Sequence, residues 1–166
     1  MKEDFISLIK TKDEANEFYE FAGMVIEKTY GTEKFDKNIV DKCISEAVLK
    51  AEYKVKPLWF EKICRQISGN VSPKSVRAVL EELTKLVSGA ELVKIEIAFE
   101  PSQDFINEAH ETIKESGFGN FVLDIELNPK LKGGAKFFIG GKYVNLTFNS
   151  VIANYLRTKD VINQYL

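Results

Sequence analysis

The chain has 166 residues, 23 Lys and Arg against 25 Asp and Glu, and 45% hydrophobic positions, a globular make-up that excludes disordered, collagen-like and low-complexity classes. A net charge of −2 with three arginines (Arg65, Arg77, Arg157) gives no electrostatic reason to expect nucleic acid or an anionic membrane surface. No run nears the roughly 18 apolar residues of a membrane span, and Lys2-Glu3-Asp4 ahead of the short Phe5 to Ile9 patch lacks a signal-peptide core, so no direct membrane insertion is expected.

The first clear period is helical, with Phe18, Ala22, Val25 and Ile26 on one stripe, and Gly31-Thr32 separates it from a second stripe of Ile39, Val40, Cys43, Ile44, Ala47, Val48 and Ala51. Pro57 suits the first turn of a third helix that turns Leu58, Phe60, Ile63, Cys64 and Ile67 inward. Gly69-Asn70 ends it. Ser72 then reads as an N-cap and Pro73 as the first position of a helix carrying Val76, Val79, Leu80, Leu83 and Leu86.

Near Gly89 the period changes from 3.6 to 2. Val93, Ile95, Ile97 and Phe99 alternate with Lys94, Glu96, Ala98 and Glu100 in a strand with one covered face, and Pro101-Ser102 stops it. A helix from about Gln103 to Glu115 carries Phe105, Ile106, Ala109 and Ile113, and Gly117 to Gly119 ends it. Phe121, Leu123, Ile125 and Leu127 mark a second strand, and Ala135 to Ile139, Gly140-Gly141 and Lys142 to Leu146 make a hairpin. A final helix from about Phe148 has the stripe Phe148, Val151, Ile152, Tyr155 and Leu156. The fold class is therefore α+β: an all-helical bundle domain over 1–88, then a small α+β domain over 89–166 in the order strand, helix, strand, hairpin, helix.

Few residues offer chemistry. Cys43 and Cys64 lie in apolar helical patterns and read as reduced core residues, as in a cytoplasmic protein. Two cysteines and one histidine cannot build a structural zinc site within the chain. His110 falls one position off its helix stripe and reads as a flank or surface residue. Glu81-Glu82 reads as a solvated helix face and Asp124 with Glu126 as the outward face of a strand, so paired-acid catalysis has no support. Neither Gly133-Gly134 nor Gly140-Gly141 belongs to a phosphate-binding glycine motif. They read as a backbone bend and a hairpin turn. Catalytic residues, cofactors and metals are thus all expected to be absent. The helices of Leu58 to Ile67 and Ser72 to Leu86 have helix-turn-helix proportions with a strand following as a wing, but Lys74, Arg77 and Lys85 share the second helix with Glu81 and Glu82. Bundle packing is favoured over nucleic acid.

The run Asn128-Pro129-Lys130-Leu131-Lys132-Gly133-Gly134, a strand, Gly140-Gly141-Lys142-Tyr143-Val144-Asn145-Leu146-Thr147 and an amphipathic helix resembles the C-terminal domain of the F-type ATP synthase delta subunit, the oligomycin-sensitivity-conferring protein family. That family shows D-P-x-L-[IV]-G-G, a strand, G-D-K-x-[IV]-D-x-S and a helix. Pro129, Leu131, Gly133, Gly134, Gly140 and Lys142 keep the pattern without insertion. Asn128 and Asn145 stand where it has Asp, Lys132 where it has an aliphatic residue, Gly141 where it has the turn Asp, and Thr147 where it has Ser. The resemblance covers about residues 90 to 158. The E-type stalk subunit of A/V-type ATPases ends similarly, and Asn145-Leu146-Thr147-Phe148 is like its helix start, although its hairpin loop is longer.

The resemblance implies a mechanical, non-catalytic role in ATP synthesis and proton transport: a peripheral-stalk (stator) subunit joining the catalytic head to the stalk. The implied partners are the alpha subunits of the head and the b-type stalk subunit, with membrane association only through the complex. The last helix has a second apolar section, Val161, Ile162, Tyr165 and Leu166, that is expected to help bind the end of a stalk helix.

Overall fold

The computed structural model describes residues 3–30, 38, 41, 42, 45, 46, 57–68 and 72–147. In chain order the elements are α1 (Glu3–Ile6), α2 (Lys12–Thr29), α3 (Leu58–Ser68), α4 (Pro73–Ser88), β1 (Glu91–Ile97), α5 (Gln103–Glu115), β2 (Phe121–Leu127), β3 (Ala135–Ile139) and β4 (Lys142–Asn145). The architecture is α+β with a helical N-terminal region. Two compact units emerge: residues 1–90 with 120–122, and residues 91–119 with 123 onward. Among the described residues no helix is long and apolar enough to cross a membrane.

The helical unit is organised around aromatic rings. A capping box starts α2: Thr11 Oγ1 accepts the Glu14 N–H at 3.2 Å while Glu14 Oε2 accepts the N–H groups of Thr11 at 3.1 Å and Lys10 at 2.6 Å. Phe18 and Phe21 on its buried face meet Trp59 and Phe60 of α3. The Trp59 ring lies 5.7 Å from Phe18, 5.9 Å from Phe21 and 5.6 Å from Phe60. Val76, Leu80, Leu83 and Val87 close the core from α4, and Val122 is buried in the same cluster. Arg77 ties α4 to the end of α2. Its Nη1 donates to the Thr29 carbonyl at 3.1 Å and to Thr29 Oγ1 at 3.2 Å, and its guanidinium carbon sits 4.6 Å from the Tyr30 ring centroid. A cation on the last carbonyls complements the helix dipole, and the ring stacks on the guanidinium.

Several expectations are corrected here. Leu58 is 72% exposed, and Trp59, which the stripe omitted, is buried. The buried face of α3 is Trp59, Phe60, Ile63 and Ile67, so a first-turn leucine falls outside it. Cys64 is only half-buried. Pro57 sits just before the helix, its carbonyl accepting the Phe60 N–H at 3.1 Å. Ser72 and Pro73 take the expected cap and first positions, although the Ser72 side chain makes no cap hydrogen bond. The Phe5 to Ile9 patch, unassigned from the sequence, forms α1 and its exit, with Phe5, Ile6 and Ile9 buried.

Asn38, Asp41, Lys42 and Ser45 are helical and exposed, at positions that alternate with the predicted Ile39 to Ala51 stripe. That stripe, the breaks at Gly31 and Gly69, Cys43 and the whole helix from Phe148 lie outside the described residues.

The second unit is built on a four-stranded mixed sheet in the order β2-β1-β3-β4. β3 pairs antiparallel with both β1 and β4, so the remaining neighbours, β1 and β2, run parallel, joined through α5 as such a crossover requires. Val93, Ile95 and Ile97 are buried while Lys94 and Glu96 are half-buried, so β1 keeps the expected alternation. Phe99 does not continue it. The strand ends at Ile97, and Phe99 is 46% exposed, its ring edge-on to Phe105 at 5.3 Å. On β2 the alternation also fails: Phe121, Val122 and Leu123 are all buried, Ile125 is half-buried and Leu127 exposed. Val122 belongs to the core cluster of the helical unit, which is why it is buried out of turn.

Candidate functional site

The motif residues form one arrangement at the loop into β3 and along the β3–β4 hairpin. Asn128 to Leu131 is a tight turn in which the Asn128 carbonyl accepts the Leu131 N–H at 3.0 Å, Asn128 Oδ1 accepts the Lys130 N–H at 3.1 Å, and Pro129 occupies the position whose φ it pre-sets. The Asn128 N–H donates to the Ile97 carbonyl at 2.7 Å, anchoring the turn beside the end of β1.

Gly133 and Gly134 follow with φ of 111° and 81°. At Gly134 the backbone passes so close to the Leu146 carbonyl and Thr147 Cα that a side chain has no room. Gly140 and Gly141, with φ of 53° and 74°, form the two-residue turn between the paired Ile139 and Lys142. Two consecutive positive φ values match the right-handed twist of a hairpin. The hairpin turn at Gly140-Gly141 is the one read from the sequence. The arrangement closes at Asn145, whose Oδ1 accepts the Thr147 N–H at 3.1 Å and its hydroxyl at 2.8 Å. Thr147 is buried.

Beside this loop runs a polar ladder across three strands. Glu96 Oε2 accepts Asn128 Nδ2 at 3.1 Å and faces Lys136 Nζ at 3.6 Å, while Lys94 Nζ meets Glu126 Oε1 at 2.8 Å. The hydrogen bond to Glu126 holds the Lys94 ammonium above the ordinary lysine value of 10.5. Because the folded value is raised, that contribution is complete below the unfolded lysine pKa and is lost as pH rises through the folded one.

The Asn128 side chain acts as a donor as well as an acceptor. An aspartate there has no Nδ2 donor and sets a second carboxylate against Glu96. Asn128→Asp is expected to cost about 1 kcal/mol at neutral pH. The introduced carboxyl has its folded pKa raised by Glu96, so the loss is present above the ordinary carboxylate value and disappears as pH falls below it. Parallel melts of both proteins across pH 3 to 7 check this; a constant difference across the range refutes it.

His110 is corrected: it is 3% exposed, inside the unit and not on its surface. Ile113 is buried and Phe105, Ile106 and Ala109 are half-buried, as the predicted stripe has them, and the covered face of α5 extends one position further to take in His110. Glu81 and Glu82 are exposed, and Glu126 is drawn to Lys94. Among the described residues no group of three or more His, Cys, Asp or Glu side chains is placed to hold a metal ion. Val161, Ile162, Tyr165 and Leu166 lie outside the described residues. The chain matches no protein-family model and no curated protein.

Sequence reasoning missed the Arg77 to Thr29 contact and the Glu96 to Asn128 bond, which join residues 48 and 32 positions apart. The local signal for the second was a strand carrying alternate Lys94 and Glu96, a pattern that invites cross-strand partners.

Proposed function

We propose that this chain is a non-catalytic peripheral-stalk subunit of a rotary F-type ATP synthase, holding the catalytic head to the b-type stalk. The observation that carries the reading is the hairpin itself. Gly134 packs against Leu146 and Thr147, and Asn145 Oδ1 holds Thr147, so residues far apart in the resembling run meet in one element. At Asn145 and Thr147 the departure from the family pattern keeps the chemistry: an asparagine oxygen accepts as an aspartate oxygen does, and a threonine hydroxyl donates as a serine hydroxyl does.

Such a role needs surfaces, not a reaction centre. A helical bundle can accept a partner's amphipathic helix along an apolar groove by i, i+3, i+4 and i+7 anchors. Arg77, the arginine on the second helix of the helix-turn-helix-like pair, is engaged by Thr29 and Tyr30, which weakens the nucleic-acid alternative.

The experiment is native co-purification of the tagged chain from membranes of its own cell, followed by identification of what comes with it. Alpha and b-type subunits are the expected companions, reduced together when residues 160–166 are deleted at unchanged melting temperature. Recovery of nucleic acid, or of the chain without ATPase subunits, overturns the reading.

A further inference from the structure

The two edges of the sheet are unlike. β2 begins buried, and its Glu126 is paired with Lys94 of the neighbouring β1. β4 has neither proline nor bulge, since its pairing with β3 runs unbroken from Lys136 opposite Asn145 to Ile139 opposite Lys142. Tyr143 is 53% and Val144 45% exposed. The Leu146 N–H donates to the Ala135 carbonyl at 2.9 Å, which sets the alternation: Val144 and Lys142 address β3 and the main chain of Tyr143 turns outward.

Charge marks both ends of this edge. Residues 127–147 contain Lys130, Lys132, Lys136 and Lys142 and no carboxylate. Lys136 is matched by Glu96, whereas Lys130, Lys132 and Lys142 are exposed and make no ion pair among the described residues. Lys142 sits at the start of β4. Lys130 and Lys132 belong to the loop whose Gly134 lies against Leu146, at the other end. β4 itself therefore carries Lys142 at its start and Tyr143 and Val144 at its centre, and the lysine-bearing loop enters β3 through Gly134, opposite its far end.

We propose that β4 is a docking edge for an extended acidic segment of another protein, which adds a fifth strand through the Tyr143 main chain and places carboxylates at the two lysine ends. Strand addition supplies affinity through main-chain bonds, and the flanking charges supply selection. A second copy of this chain is disfavoured as occupant, because it brings the same uncompensated lysines. The inference is independent of the stalk reading, and either can fail alone.

The probe is a fluorescein-labelled peptide, acetyl-Glu-Glu-Val-Thr-Val-Glu-Glu-amide, titrated into the full chain at low salt, with a peptide bearing Lys for every Glu as control. Saturable anisotropy, slowed exchange of the Tyr143 amide and a loss of roughly tenfold or more in affinity for the control support the proposal. Lys132→Glu with Lys142→Glu, both at exposed sites, is expected to weaken binding by a similar factor. Tyr143→Pro removes the outward N–H while leaving the bonds to β3, and is expected to abolish binding. No binding at millimolar peptide, equal binding of the lysine control, unchanged Tyr143 exchange, or a dimer of the chain that Tyr143→Pro dissociates overturns it.

Discussion

Gly134→Val is expected to unfold the α/β unit or to cost about 3 kcal/mol or more. Two causes add: a β-branched residue at φ +81°, and a Cβ driven into the Leu146 carbonyl and Thr147 Cα, main-chain atoms that cannot swing aside. Gly141→Val is the control. Its φ is +74°, yet nothing lies within 4 Å of a Cβ built there, so only backbone strain remains, about 1–2 kcal/mol. Thermal melts of the three proteins, with amide exchange read over 91–119 and 123–147, measure the difference. Equal losses at the two positions refute the steric account. Loss of partner binding by Gly141→Val at unchanged stability makes the turn a recognition site instead.

The second large effect is expected at Trp59. Truncation to alanine removes the ring that Phe18, Phe21 and Phe60 all touch, in a cluster where every member is buried, and is expected to cost about 3–5 kcal/mol. Trp59→Phe is expected to cost much less. Phenylalanine keeps most of the ring volume, and Trp59 Nε1 is buried with no hydrogen-bond partner among the described residues, so its removal relieves an unpaired donor. Denaturant unfolding followed by exchange over α2, α3 and α4 tests the pair; comparable losses for the two substitutions count against this account of the core.

Val122 has a bearing on how such losses spread. It belongs to the helical core although its strand continues into the sheet at Leu123. Exchange at Val122 is therefore expected to follow the helices in Trp59→Ala, whereas exchange at Ile95 reports the sheet.

Local pattern alone determined a good deal of this protein. The change from a 3.6 to a 2 period places the end of the helical region and the start of β1 to within two residues, because side-chain direction along a helix or strand is a property of the backbone itself. Caps and glycine turns were legible for the same reason. Ser72-Pro73 starts α4, and Gly140-Gly141 needs only its own φ values to close a hairpin. The candidate site was equally legible as a run of residues, from Asn128 to Thr147.

What only the tertiary structure decided is whatever depends on a distant neighbour. Leu58 and Trp59 are adjacent apolar residues at the start of one helix, and the aromatic rings of α2 choose between them. His110 is buried and Leu127 exposed against their local patterns, because burial is set by the element that covers a face and not by the face's own composition. The strand order β2-β1-β3-β4 places Asn128 and Lys136 on either side of Glu96, and brings Gly134 onto Leu146. Periodicity tells which way a side chain points; only packing fixes what it points at.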